Sequence, residues 1–110
     1  MLKINMELRK GVLFIRPCGK LNKHSCEELE KIANNLINNV GIRYMIINLE
    51  SLEEIDKYGI RILTDIYKNI INNEGIFIIC GNNYKIKKER LYKIGYQNIS
   101  ELRALKMVNI

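Results

Sequence analysis

The sequence predicts an α/β fold, and three observations carry the prediction. Tyr44 to Leu49 and Ile76 to Cys80 are nearly unbroken apolar runs, the pattern of strands covered on both faces. Between them Ile60, Leu63, Ile66, Tyr67, Ile70 and Ile71 recur at helical spacing. Strand, helix, strand in that order is a βαβ unit with a right-handed crossover. Upstream, residues 3–9 alternate loosely, with Ile4, Met6 and Leu8 on one face, and Lys10-Gly11 separates them from a second strand over Val12 to Pro17. That is the signature of a hairpin.

The remaining elements follow in order. Pro17 cannot donate a ladder hydrogen bond and is expected at a strand end or on an edge. Ser25-Cys26-Glu27-Glu28 reads as a capping box, with the Ser25 hydroxyl accepting from the Glu28 amide. The helix it opens places Cys26, Leu29, Ile32, Ala33, Leu36, Ile37 and Val40 on one face, and Gly41 ends it. Gly75 separates the central helix from the strand after it. Beyond Gly81-Asn82-Asn83 a shorter third helix is expected, with Ile86, Leu91 and Ile94 inward and Gly95 as its stop. Residues 96–99 make a short strand. Ser100 caps a last helix carrying Leu102, Leu105 and Val108. The order is β-β-α-β-α-β-α-(β)-α, a mixed sheet packed with about four helices. The 110 residues are expected to form a single domain, 1–110.

Composition narrows the function classes. An apolar fraction of 47% with 27% charged residues is that of a soluble globule rather than a disordered chain. No apolar run has the length of a signal peptide or a membrane span, so a cytoplasmic location is expected. Cys18, Cys26 and Cys80 form no CxxC pair and the chain has one histidine. Buried thiols are therefore expected, and no metal. Part of the +6 net charge lies in Lys85, Lys87, Lys88, Arg90 and Lys93. A solvated helix face is expected there, with nucleic-acid binding the weaker reading because only Tyr84 and Tyr92 offer stacking surfaces nearby.

Catalysis finds few convergent groups. His24 and Cys26 lie two apart at a helix start and do not face each other. Among Glu27, Glu28, Glu30, Glu50, Glu53 and Glu54 nothing marks two with opposed environments, which acid–base chemistry requires. Neither GxGxxG nor GxxxxGK[ST] is present. Binding without catalysis, cofactor or small-molecule substrate is the expectation.

The segment from Glu50 to Gly59 leaves a buried strand and enters a helix, a favoured place for sites in open α/β sheets. Asp56 suits the N-cap, since its carboxylate accepts first-turn amides and meets the positive end of the helix dipole. Lys57 opposes that dipole, and Tyr58 beside it is expected at least half exposed. Gly59 in the first turn costs about 1 kcal/mol relative to Ala, which points to close packing of helix against strand.

These residues resemble the STAS domain, most closely the bacterial anti-sigma factor antagonists. The match runs from Asn48-Leu49-Glu50-Ser51-Leu52 through Ile55-Asp56-Lys57-Tyr58-Gly59-Ile60 to Leu63. It includes Gly19-Lys20-Leu21-Asn22 followed by Ser25-Cys26-Glu27-Glu28-Leu29, and Ile76 to Gly81 followed by Ile94-Gly95-Tyr96. The resemblance implies a protein partner: an anti-sigma factor that is also a serine kinase. In that family, phosphorylation of the first Ser or Thr after the Asp breaks the complex. Here that acceptor position is Lys57, the next Ser is Tyr58, and the loop Asp of the second motif is Asn22. The resemblance therefore implies a partner surface at Asn22, Ser51, Asp56, Lys57, Tyr58 and Gly59, with a degenerate phosphoacceptor at Lys57. The same family also supplies scaffolds and accessory subunits of transport ATPases and signalling complexes, which is the alternative, and a homodimer is compatible with either.

Overall fold

In the computed structural model, which describes residues 1–108, five strands form one mixed sheet. The strands are β1 (Leu2–Arg9), β2 (Val12–Leu21), β3 (Tyr44–Asn48), β4 (Leu52–Ile55) and β5 (Ile76–Cys80). The helices are α1 (Cys26–Asn35), α2 (Lys57–Asn72) and α3 (Glu101–Val108). The sheet runs β1-β2-β3-β5, with β4 also on β2. The β1–β2 hairpin is antiparallel, and all other pairings are parallel.

The two-residue alternation of a strand sorts the apolar runs onto two faces. Leu13, Ile15, Met45, Ile47, Phe77 and Ile79 point to one side, where Leu29 and Ala33 of α1, Ile37 just beyond it, and Leu63, Ile66 and Ile70 of α2 cover them. Val12, Phe14, Ile46, Ile78 and Cys80 point to the other, against Ala104 and Val108 of α3. This explains why β3 and β5 read as continuous rather than alternating. β1 is an edge strand, and its apolar face fades along its length: Leu2 is buried, Ile4 half-buried, and Met6 and Leu8 are exposed.

Several expectations need correction. Pro17 lies inside β2, flanked by β1 on one side and by β3 and β4 on the other. Ile15 is the last residue paired with β3 and Gly19 the first paired with β4. Gly19 donates its amide to the Ser51 carbonyl, and by the two-residue alternation Pro17 turns its nitrogen the same way, into the gap between those pairings. The proline therefore forfeits no rung. Residues 52–55, read as loop, form β4. Its pattern of apolar Leu52 and Ile55 around two glutamates hides a strand only four residues long.

The third helix is absent among the described residues. Residues 84–91 form turns and only Tyr92–Ile94 makes a 3₁₀ turn, yet Ile86, Leu91 and Ile94 are buried as expected. On a helix Ile86 and Leu91, five residues apart, would point about 140° away from each other, so one face would not gather them. The strand at 96–99 reduces to one bridge, Ile79 with Tyr96. In α3, Ala104 and Val108 are buried whereas Leu102 is exposed. The Ser100 hydroxyl does accept from the Arg103 amide, as a cap should. The end of the first helix widens into a π turn over Leu36–Val40 before Gly41 takes the left-handed conformation, at φ 89°. Of the three thiols, Cys80 is buried, Cys26 half-buried and Cys18 exposed. Burial pushes the Cys80 thiol up to about 12.

An ionic cluster fastens α3 to the sheet. Arg16 of β2 donates to both carboxylate oxygens of Glu101, at 2.9 and 2.6 Å, and to Glu7 at 2.9 Å. Asn48 adds a bond to Glu101 at 3.0 Å. The Arg16 guanidinium, opposed by partial burial, holds the Glu101 carboxyl below its ordinary value near 4.5. Since the folded-state value is the lower one, this stabilisation is complete above the ordinary value and is lost as pH falls through the folded one. Glu101→Gln is expected to unfold at lower urea concentration than wild type at neutral pH. It should also lose stability less steeply between about pH 5 and pH 3, as pH-dependent urea titrations of both forms would show.

Candidate functional site

The far end of β2 brings two loops together. β4 pairs with Gly19, Lys20 and Leu21, so the segment after Leu21 and the segment after Ile55 emerge side by side. Asp56 ties them. Its backbone amide donates to the Leu21 carbonyl at 3.2 Å. One carboxylate oxygen accepts from the Tyr58 and Gly59 amides, each at 3.0 Å, as the N-cap of α2. The other accepts from the Lys23 amide at 3.1 Å. A charged acceptor shared by three amides makes stronger bonds than a neutral one would.

Gly59 is buried for the reason its sequence position suggested. A Cβ placed there would stand 2.5 Å from the Leu21 carbonyl oxygen and 2.9 Å from the Ile55 Cγ1. Only glycine lets the first turn of α2 lie this close to β2 and β4.

The first loop is built differently from the expected capping box. The Ser25 hydroxyl donates to the Lys20 carbonyl at 2.6 Å and accepts from the Asn22 amide at 3.0 Å, so it staples the loop and makes no cap bond to α1. Asn22 turns its own oxygen to the His24 amide at 3.0 Å, and its backbone carbonyl accepts from Ser25 and Cys26. His24 is exposed on this loop.

Lys57 is exposed and Tyr58 half-buried beside it. Two ammonium groups lie over the Tyr58 ring, Lys57 at 5.3 Å and Lys23 at 5.7 Å from its centroid, within cation–π range. Asn22, Asp56, Lys57 and Tyr58 thus share one surface, with the expected Gly59 buried beneath it. Ser51 does not join them. It precedes β4, beside Asn48 and Glu50 at the end of β3, and the whole of β4 separates it from Asp56. Lys23 is the site residue that sequence reasoning missed. It lies 33 positions from Asp56, and no local pattern marks a contact that only the β2–β4 pairing creates.

The geometry is that of a small α/β protein with its polar loops gathered at one end of a mixed sheet. Residues 3–105 match the STAS domain, and the chain belongs to that family. The fold superposes on an anti-sigma factor antagonist from Mycobacterium paratuberculosis with a TM-score of 0.85 at 16% identity, covering 100% of this chain and 96% of the other. SpoIIAA, an anti-sigma factor antagonist solved in its unphosphorylated form, gives 0.79 at 19% identity, covering 98% and 100%. RsbS of Moorella thermoacetica gives 0.76 at 15% identity, covering 96% of each chain.

Replacing Asp56 by Ala removes the cap and the tie to Lys23 together, and should destabilise the protein by about 1–2 kcal/mol. Asp56→Asn keeps a capping oxygen and should lose only part of that, in paired urea-unfolding measurements.

Proposed function

We propose that the chain acts as an anti-sigma factor antagonist: a cytoplasmic, non-catalytic STAS module that binds a kinase-type anti-sigma factor and so regulates sigma-dependent transcription. Its partner surface comprises the Asn22–Ser25 loop and the Asp56–Gly59 turn, and its binding is not switched by phosphate at the usual position. One observation carries the proposal. Asp56 and Gly59 keep the helix entry in place, while the position after the aspartate holds a lysine.

The family membership and the names of the structural neighbours support an anti-sigma factor as partner. SpoIIAA has been solved in phosphorylated and unphosphorylated forms, so in that protein the modification is a real state. Lys57 has no hydroxyl to accept a phosphoryl group and carries the opposite charge to a phosphoserine. Ser51 is exposed, but β4 stands between it and the turn. Output would then be set by the amount of this protein or by a competing partner.

Two measurements test the proposal. Incubation with the cognate kinase and ATP should leave residues 56–59 without phosphate by mass spectrometry, and phosphate on that turn would overturn the unswitched reading. In pull-downs, Lys57→Glu places a negative charge where the family carries its phosphate, and should weaken partner recovery by about tenfold or more. Equal recovery by wild type and variant would remove this surface as the interface.

A further inference from the structure

The partner surface continues beyond the turn. Lys57, Arg61 and Lys68 repeat along the exposed side of α2, and Arg90 reaches the same place from the loop after β5. Together they line an open cleft of about 660 Å³. The only carboxylate lining it is Asp65. None of the four cations has a carboxylate within ion-pair distance among the described residues. Elsewhere Arg9 and Arg16 are neutralised by Glu7 and Glu101, and Lys31 by Glu27. Many lysines elsewhere on the surface are also unpaired, but in this cleft four cations face a single carboxylate.

From Lys57 to Lys68 the stripe spans about 16 Å along the helix. That is about three turns of a docked helix or five residues of an extended strand. The floor is partly apolar, with half-buried Tyr58 and Ile60. An apolar floor flanked by cations fits a peptide that alternates acidic and apolar side chains. It fits a nucleic acid less well, because Tyr58 is the only ring in the cleft on which a base could stack.

We infer that this cleft is the docking site for an acidic segment of the partner protein. The inference rests on the partner surface proposed above and adds the chemistry of what it takes. Lys57 is then more than a lost acceptor, since it heads a row of cations that attracts negative charge on the partner and quickens association.

The test uses a fluorescein-labelled peptide of twelve residues alternating Glu with Leu and Ala, read by anisotropy at low salt. Wild type should bind it, and raising salt should weaken binding. Arg61→Glu/Lys68→Glu/Arg90→Glu should weaken it by at least about tenfold. Lys85→Glu/Lys87→Glu/Lys93→Glu changes net charge equally outside the cleft and should leave it within about twofold. Equal losses in both triple variants would reduce the effect to net charge and overturn the cleft. So would tighter binding of a duplex DNA probe than of the peptide, or no peptide binding at all.

Circular dichroism establishes that the variants fold. Partner pull-down separates the two proposals. If Lys57→Glu loses the partner while the cleft triple variant keeps it, the turn stands and the cleft falls. If both lose it, both stand. If neither does, both fall.

Discussion

The structure depends on β2 pairing with two strands in succession along one side. Its first half carries β3 and its second half carries β4, while β1 runs along the other side from Val12 to Gly19. Pro17 sits where the first pairing has ended and the second has not begun, so a residue that breaks central strands elsewhere is accommodated here. The handover lets the sheet extend past the end of β3 and project Leu21 and Ile55 together. Without it, the Asn22–Ser25 loop and the start of α2 would have no reason to meet.

Once those chain ends are adjacent, Asp56 supplies the local bond that holds them. Its carboxylate does two jobs with two oxygens: one caps α2 and the other holds the Lys23 amide. A capping residue alone would stabilise a helix end, and a loop contact alone would order a loop. Joined in one side chain, they fix the loop relative to the helix, and the Gly59 contact fixes the helix relative to the strands. The surface presented by Lys23, Lys57 and Tyr58 is therefore set by backbone bonds behind it. The exposed residues are free to change without loosening the frame, so a lysine is tolerated directly after Asp56.

The legible parts of the fold were those with a strong local signal. The runs at β3 and β5, the helical spacing of α2 and the Asp56 cap were all readable, because burial on both faces, a 3.6-residue period and a helix dipole each leave a mark within a few positions. What failed to show was decided by distant partners. β4 is a strand because β2 offers it free hydrogen-bonding groups, not because Leu52-Glu53-Glu54-Ile55 favours extended backbone. Residues 84–91 bury apolar side chains without a helix because the core needs Ile86 and Leu91 covered, not a continuous cylinder. Ser25 looked like a cap by spacing, but its hydroxyl is drawn to the Lys20 carbonyl, a partner in the preceding strand.

The same distinction bears on the site. The Asp56 cap on α2 is a matter of local backbone chemistry and could be read directly from its own turn, whereas its tie to Lys23 could not. The cation row along α2 could be read only in part, because Lys57, Arg61 and Lys68 share a helix while Arg90 arrives from a separate loop. A frame of this kind determines where a partner docks, and the charge around it determines which partner is attracted. The unpaired cations concern the second question. A phosphate on such a turn would add negative charge to a surface whose partner has to accept that turn. A lysine there, continued by Arg61 and Lys68, shifts the same surface in the opposite electrostatic direction. A partner matched to it gains from carrying acidic groups, and a partner matched to a neutral or phosphorylated turn does not. On the proposed reading, losing the hydroxyl and acquiring the cationic row are one change in the surface, with specificity moved from a reversible modification into fixed side chains.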